Sequence, residues 1–197
     1  MSDRVLLFDT ETTGKADFKK PVTDPCQPRL VQLAAMLVED DHELASLNVI
    51  IKPEGFLIPD DAARIHGITT EKAHEAGVSI APVLQTFYSL IQSASWIVGH
   101  NVSFDIFIAQ IEFTKRNYAN PFLEKPTFCT MKQSTDICRL PGQYGYKWPK
   151  LREVFLFAFQ EELVDAHNAM ADLKATLRVY NWLRDLLATK ALSGQPA

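Results

Sequence analysis

The chain has 197 residues, of which 47% are hydrophobic, and a formal net charge of −4. This length and composition are those of one globular domain with a sizeable core, and they exclude a disordered tail protein and a disulfide-stapled miniprotein. No apolar run approaches the roughly 18 residues that cross a membrane, and the N-terminal apolar stretch is too short for a signal peptide. The three cysteines have no C-x-x-C spacing, so we expect reduced thiols and a cytoplasmic protein without a membrane partner.

The negative net charge makes tight binding of nucleic acid over a large surface unexpected. Acidic residues outnumber basic ones by 24 to 20, and phosphate binding favours a basic surface. Four of the acids are candidate metal ligands below, and without them the two signs balance. A phosphodiester substrate is therefore not excluded, because bound cations would supply much of the local positive field.

The N-terminal half of the chain predicts strands. Residues 4–10 are a short apolar run of β-forming residues, which predicts a buried strand. The following residues 14–29 are rich in Lys, Pro and Asp and predict an exposed loop. Residues 30–38 and 44–52 flank the polar turn EDDHE and predict an antiparallel hairpin.

The C-terminal half alternates helical and strand patterns. Apolar residues recur at helical spacing over residues 84–91, which predicts a helix that starts near Pro82. Residues 96–99 predict a further strand, and residues 104–111 carry a second helical stripe. Residues 167–190 predict the last and longest helix. This order indicates an α/β fold, a mixed sheet with helices packed on it.

No repeat, linker or change of composition divides the chain. We therefore expect a single domain over residues 1–190. The small polar residues 191–197 are expected to form a flexible tail, as chain ends commonly do.

Two carboxylates end the first predicted strand. Asp9 and Glu11 are two residues apart, so they point to the same face of the strand. Like charges there resist ionising together, and a divalent cation relieves the repulsion. Mg²⁺ and Mn²⁺ prefer such oxygen ligands. The alternative is a solvated strand end before the T-T-G turn.

Two further carboxylates lie on predicted helices. Asp105 follows a helix start that Asn101 or Ser103 can cap, and an acid there also stabilises the helix dipole. Asp172 borders the apolar stripe of the last helix, where a carboxylate is costly unless it is paired or coordinated. The alternatives are an acid that satisfies the dipole and an edge position that reaches solvent.

A histidine precedes the last carboxylate by five residues. At that spacing His167 and Asp172 cannot share one face of a regular helix. They act together only if His167 lies in the loop or first turn, with Asp165 or Asn168 as the cap. The alternative is a structural histidine.

Four segments occur in order along the chain: LLFDTETTG, RIHGIT, GHNVSFDIF and AHNAMAD. Together they resemble the motifs of the DEDDh 3′–5′ exonucleases, the DnaQ-like family typified by the DNA polymerase III epsilon proofreading subunit. The resemblance extends over about residues 4–185, and no ligand of the family pattern is missing.

The resemblance implies both a fold and a mechanism. The fold is ribonuclease H-like, a five-stranded mixed sheet flanked by helices. Two Mg²⁺ or Mn²⁺ ions are bound by four carboxylates, with the first as the bridging ligand: Asp9, Glu11, Asp105 and Asp172. His167 takes a proton from the attacking water, and hydrolysis of the 3′-terminal phosphodiester releases a nucleoside 5′-monophosphate.

The resemblance also implies contacts with the terminal nucleotide. The candidate residues lie in the turn after the first strand, in RIHGIT and in the GHNVSFDIF motif: Thr12, Thr13, Ile65, His66, Asn101 and Phe104. For Phe104, core packing explains the apolar spacing equally well.

Residues 139–152, RLPGQYGYKWPKLR, combine four basic residues with three aromatic ones and contain no acid. Such a mixture in a Gly/Pro loop suits a single strand of nucleic acid, through phosphate contact and base stacking. The alternative is a surface loop ahead of a helix that starts at Pro149, with Trp148 packed inward.

We expect a metal-dependent 3′–5′ exonuclease that acts on the 3′ ends of single-stranded DNA. An RNA-trimming exoribonuclease similar to ribonuclease T or oligoribonuclease is the first alternative, because the motifs do not reveal how the site treats a 2′-hydroxyl. A non-catalytic nucleic-acid-binding domain on the same fold is the second. A polymerase partner stays open, although the few residues after the last helix favour a stand-alone nuclease.

Overall fold

A five-stranded mixed sheet forms the centre of the structure, a computed structural model that describes residues 3–163 and 169–193. Its strands are β1 (Arg4–Thr12), β2 (Leu30–Glu39), β3 (His42–Ile50), β4 (Trp96–Gly99) and β5 (Thr127–Cys129). They lie in the order β3-β2-β1-β4-β5. β1, β2 and β3 are antiparallel neighbours, whereas β4 and β5 continue the sheet in parallel.

Seven helices accompany the sheet in the described part of the chain. They are α1 (Asp60–His66), α2 (Thr70–Ala76), α3 (Ile80–Ser93), α4 (Val102–Lys115), α5 (Thr130–Cys138), α6 (Leu151–Phe159) and α7 (Ala169–Ser193). A small hairpin of β6 (Pro141–Gly142) and β7 (Gly145–Tyr146) lies outside the main sheet. None of these helices is both long and apolar enough to span a bilayer.

β1 is covered by helices on both faces, which explains its nearly continuous apolar sequence. Leu6 and Phe8 belong to the core cluster that contains residues of α3 and α4. Val5 and Leu7 belong to a second cluster that contains residues of α7. Because side chains alternate along a strand, the residues of β1 after Phe8 also point alternately toward α7 and toward α4.

The predicted strands and long helices are confirmed, with shifted boundaries. β1 runs to Thr12, two residues beyond its predicted end, and the loop over residues 14–29 contains neither helix nor strand. α3 begins at Ile80, two residues before Pro82. The helix can include Pro82 in its first turn because N–H groups there have no acceptor within the helix, so the N–H that proline lacks is not missed.

A fully buried carboxylate joins β2 to α4. Glu112 accepts hydrogen bonds from Arg29 Nε at 2.8 Å and Nη2 at 3.2 Å, and from the Leu30 backbone N–H at 3.2 Å. Arg116 Nη1 donates a further bond at 2.9 Å and continues to the exposed Glu54. Glu112 thus links β2 to α4, and removal of either the acid or one of its charged donors should strongly destabilise the fold, because it leaves a buried charge without its partner.

We expect Glu112→Ala to lower the free energy of unfolding by about 3–5 kcal/mol, because two guanidinium groups and a buried N–H lose their acceptor. Urea unfolding measures the loss. The matched control is Glu54→Ala, the exposed end of the same network, for which we expect at most about 1 kcal/mol. Equal losses for both variants would contradict the assignment.

Candidate active site

The candidate site lies where two parallel strands end at the same edge of the sheet. β4 pairs with β1 only opposite Val5–Leu7, so the last residues of β1 extend past it. A Cβ at Gly99 would lie 3.0 Å from the Cβ of Val102, so this glycine lets α4 begin close behind its strand. The first turn of α4 therefore fills the space beside the end of β1.

Strand alternation separates the polar residues at the end of β1 into two groups. Asp9 and Glu11 continue the face of Val5 and Leu7, which is covered by α7. Thr10 continues the opposite face, covered by α4. Two of the candidate carboxylates thus face the helix that carries Asp172, and the residue between them faces the helix that carries Asp105.

Asp105 is fixed to the backbone of β1 by two hydrogen bonds. Its Oδ1 accepts from the Thr10 backbone N–H at 3.0 Å and from the Thr10 hydroxyl at 2.7 Å. The Asp105 side chain is buried, in the first turn of α4. These bonds replace the strand pairing that β1 lacks beyond the end of β4, and they hold the third carboxylate beside the first two.

Asp172 occupies the first turn of α7 and lines a cleft of about 290 Å³ together with Asp9. The remaining walls come from α6 and its N-terminal approach, from α7 and from the ends of neighbouring elements: His100, Lys150, Leu151, Arg152, Leu163 and Thr176. The structure thus brings together carboxylates that lie at opposite ends of the sequence.

Burial raises the pKa values of three of these carboxyl groups, and repulsion between charges adds to the effect at Asp9 and Glu11. Burial, followed by the charges of Asp105, Glu11 and Asp172, raises the pKa of Asp9 well above its ordinary value. Burial and then the charges of Asp172 and Asp105 raise the pKa of Glu11 to about 7. Burial raises the pKa of Asp105 to about 7 against the opposing hydrogen bonds from Thr10.

The donor set fits hard divalent cations. Within the described chain no hydrogen bond reaches the carboxylates of Asp9 or Glu11. Among the described residues, no three His, Cys, Asp or Glu side chains converge on one point as a ready cage for an ion. Mg²⁺ needs no such cage, since one or two carboxylates with water and substrate phosphate oxygens commonly hold it.

His100 is a buried link between this cleft and the chain before α6. Burial lowers its pKa to about 4, so the imidazole is neutral. Nε2 lies 2.9 Å from the Pro149 carbonyl, which can only accept, so Nε2–H is the donor. Nδ1 then accepts from the Thr130 hydroxyl at 3.0 Å. The segment that enters α6 is thereby fixed to the end of β4.

The two threonines after Glu11 already have backbone partners. The Thr12 hydroxyl donates to the Gly14 carbonyl at 2.6 Å. The Thr13 hydroxyl accepts from the Arg29 N–H at 2.9 Å, and the two residues also pair through the backbone. Their side chains shape the turn and close the loop over residues 14–29.

The other predicted nucleotide contacts differ in accessibility. Ile65 is 60% exposed at the end of α1. His66 lies beside the Thr12 backbone, and its buried Nε2 has no hydrogen-bond partner in the described chain. Asn101 is exposed with left-handed backbone at the start of α4, while Phe104 packs against the main core.

The predicted general base, His167, lies outside the described residues. Sequence analysis also missed two residues of the site. Thr10 lies between two carboxylates and its role depends on Asp105, which is distant in sequence. His100 lies inside the GHN segment, but no periodicity signalled its bond to Pro149.

The fold and the cleft define an α/β protein with an acidic site at the ends of parallel strands. The chain belongs to the RNase_T family, whose family model, described as Exonuclease, matches residues 6–180. It is thus a hydrolytic exonuclease domain of a family that uses divalent metals. The resemblance to DnaQ-like exonucleases is confirmed.

Three similar proteins illustrate the match. An uncharacterized exonuclease, CP81, of Escherichia phage 186 is 28% identical over 93% of this chain and 89% of its own length. The DNA polymerase III subunit epsilon of Buchnera aphidicola is 27% identical over 72% of this chain. E. coli exonuclease I in complex with a dA16 oligonucleotide superposes with a TM-score of 0.72 at 22% identity over 93% of this chain, which confirms the ribonuclease H-like fold.

The lengths of these proteins differ. This chain spans 59% of the epsilon subunit and 41% of exonuclease I. The shared region is therefore the nuclease domain, and the further activities and partners of the longer proteins do not follow from it.

The raised pKa values predict how pH changes the stability of the metal-free protein. A carboxyl that ionises near pH 7 when folded but near pH 4 when unfolded binds more protons in the fold. Its stabilising contribution is complete below about pH 4 and is lost as pH rises through about 7. We expect the free energy of unfolding in excess chelator, measured with urea, to fall between about pH 5 and about pH 8.

The isosteric variant Asp9→Asn isolates the source of this pH dependence. It removes one of the repelling charges, so we expect it to exceed the wild type in unfolding free energy by roughly 1 kcal/mol or more at about pH 8. Near pH 5 the difference should largely vanish. Glu124→Gln, at an exposed carboxylate, is the control without gain. A wild-type curve that is flat over this range would contradict the prediction.

Proposed function

We propose that this domain removes nucleotides from the 3′ end of single-stranded DNA by metal-dependent hydrolysis. One observation carries the proposal: carboxylates from β1, α4 and α7 lie close enough that the charges of Asp105 and Asp172 raise the pKa values of the buried Asp9 and Glu11. Such crowding is costly to the fold, and a cation that neutralises it is the usual reason for it at functional sites.

The residues divide the work between binding and proton transfer. Asp9, Glu11, Asp105 and Asp172 would hold two divalent cations, Mg²⁺ or Mn²⁺. When bound, the two cations stabilise the attacking and leaving oxygens of an in-line displacement. Thr10 keeps Asp105 in position through its two hydrogen bonds.

His167 is the general base of the proposal. Its ordinary pKa near 6.5 suits removal of a proton from water at neutral pH. The water oxygen attacks the terminal phosphorus, the bond to the 3′ oxygen of the preceding nucleotide breaks, and a nucleoside 5′-monophosphate is released. The polarity follows from the resemblance of the ordered motifs to DEDDh 3′–5′ exonucleases.

Ile65, His66, Asn101 and Phe104 are the proposed contacts of the terminal nucleotide. Ile65 supports this best, since its large apolar side chain is 60% exposed next to His66 in the chain and is available to a base. Thr12 contributes through the backbone of its turn, because its hydroxyl already donates to the Gly14 carbonyl. The Thr13 hydroxyl accepts from the Arg29 N–H and keeps its own proton to donate to the nucleotide.

The choice of DNA over RNA is supported by the oligonucleotide in the exonuclease I structure, which is DNA. An RNA-trimming enzyme is the competing outcome of the first experiment below. A polymerase partner is suggested by the epsilon relative, whose name makes it a polymerase subunit. A cytoplasmic location is supported by three cysteines that form no disulfide.

The first experiment is a time course on 5′-labelled single-stranded DNA and RNA of equal sequence. We expect a ladder that shortens from the 3′ end of the DNA with Mg²⁺ or Mn²⁺ and no shortening with excess chelator. Asp9→Ala should remove the activity, because one of the proposed cation ligands is lost. A faster ladder on RNA would replace the DNA proposal with the exoribonuclease. No cleavage of either strand by well-folded protein would contradict the proposed function.

His167→Ala tests the general base. We expect the single-turnover rate to fall by about 10²–10⁴-fold without loss of stability, since a positioned base contributes about that much. The wild-type rate should rise with pH through the histidine pKa, and the variant should lose this dependence. His74→Ala, in α2, is the control with unchanged rate. Near-normal turnover by the His167 variant would overturn the assignment.

A further inference from the structure

Residues 139–152, here called the basic arm, differ in charge and exposure from the rest of the molecule. They carry Arg139, Lys147, Lys150 and Arg152 and no acidic residue, in a chain whose net charge is −4. A local excess of cations on an acidic protein indicates an anionic ligand at that place.

The arm leaves its aromatic side chains in solvent. Tyr144 is 94% exposed, Trp148 64% and Tyr146 50%. The alternative that packed Trp148 inward is therefore wrong, and α6 begins at Leu151 rather than at Pro149. In the described structure these three rings make no contact with another ring. Clustered exposed aromatic surface of this kind marks a binding site.

The arm has a defined backbone shape. β6 and β7 form a short hairpin with Tyr144 at its turn, and Gly145 adopts a φ of +112°, which an L side chain rarely adopts. The Lys147 N–H bonds to the Leu140 carbonyl at 3.0 Å and closes the base of the hairpin. The tip is thus presented as a preformed structure.

The arm is attached to the wall of the carboxylate cleft. The bond from His100 Nε2 to the Pro149 carbonyl fixes its C-terminal end beside β4. Lys150 and Arg152 line the same cleft as Asp9 and Asp172. The arm therefore extends from the reaction site itself toward the exposed hairpin.

Some basic side chains of the arm form no ion pair within the described chain. Lys147 forms an ion pair with Glu153, whose carboxylate also accepts the Lys150 backbone N–H and so begins α6. No ion pair to Arg152 forms within the described chain. Arg152 and the side chain of Lys150 are exposed in the cleft and available to phosphate.

We propose that the basic arm binds the nucleotides that precede the terminal one, with bases stacked on Tyr144 and Trp148 and phosphates on Lys150 and Arg152. The proposal rests on the proposed function, which places the 3′-terminal nucleotide in the cleft. The ligand is a single strand, because a base must be unpaired to stack on a protein ring. The arm thus favours single-stranded ends over duplex ends.

Binding is measured by fluorescence anisotropy with a single-stranded DNA of about 12 nucleotides, a length within the usual range of such sites. The Asp9→Asn background prevents cleavage. Adding Tyr144→Ala and Trp148→Ala together should weaken binding about tenfold or more, as loss of base stacking typically does. The control adds Tyr88→Ala and Tyr118→Ala, two residues that are 39% and 37% exposed on α3 and after α4.

The salt dependence separates phosphate contact from stacking. Lys150→Ala with Arg152→Ala should reduce the slope of log binding constant against log salt, by roughly 0.7 for each phosphate released. The control pair is Lys115→Ala with Lys132→Ala, two exposed lysines on α4 and α5. Equal effects of arm and control pairs, or an unchanged slope, would overturn the proposal.

A kinetic ratio links the arm to catalysis and separates the two proposals. In otherwise wild-type protein, the aromatic pair of substitutions should lower kcat/KM on the oligonucleotide relative to the p-nitrophenyl ester of thymidine 5′-monophosphate, mainly through KM. Equal losses on both substrates would contradict the arm. If the wild type cleaves neither substrate but the arm variants still weaken binding, the proposed function fails and the arm stands.

Discussion

The two hydrogen bonds from Thr10 to Asp105 join β1 to α4 at the point where β1 no longer pairs with β4. β4 pairs with β1 only as far as Leu7, and beyond that residue no strand of the described chain pairs with this side of β1. Asp105 takes the N–H that a neighbouring strand would have accepted. The same contact places the buried carboxylate of Asp105 beside Asp9 and Glu11. One side chain therefore both accepts the unpaired N–H of β1 and raises the pKa values of the two neighbouring acids.

β1 serves two helices at once because it is covered on both faces. At the end of β1, the two residues that face α7 are the acids Asp9 and Glu11, and the residue that faces α4 is Thr10. Residues of a strand that extended past its neighbour without a helix on each side would remain in solvent, where their pKa values would be ordinary. The functional properties of this strand end therefore come from its burial, and the energetic cost is offset elsewhere, in the apolar cores on both faces and in links such as Glu112.

Sequence analysis predicted β1 to β4 and the long helices because runs and periods of apolar residues record which faces are buried. β4 was predicted with its observed bounds, and the two-residue spacing of Asp9 and Glu11 was enough to assign them to one face of β1. β5, α1, α2 and α5 are too short for a clear pattern and were not located. α6 was considered only as the helix after the loop in the alternative for residues 139–152, with its start at Pro149. The partners of His100 and Thr10 depend on which elements meet across the sheet, and no local pattern contains that information. Trp148 was open between two interpretations, since an aromatic residue fits both core and ligand surface.

The carboxylate cleft has a consequence for the order in which the folding chain completes its proposed active site. Asp9 belongs to the first strand and Asp172 to the last helix, about 160 residues later. Contacts of such long sequence separation form late, because loop closure must precede them. During synthesis the N-terminal strands emerge first and lack the helix that completes the acidic cleft. Under the proposed function, the nascent domain therefore completes its cation site only when nearly the whole domain has left the ribosome.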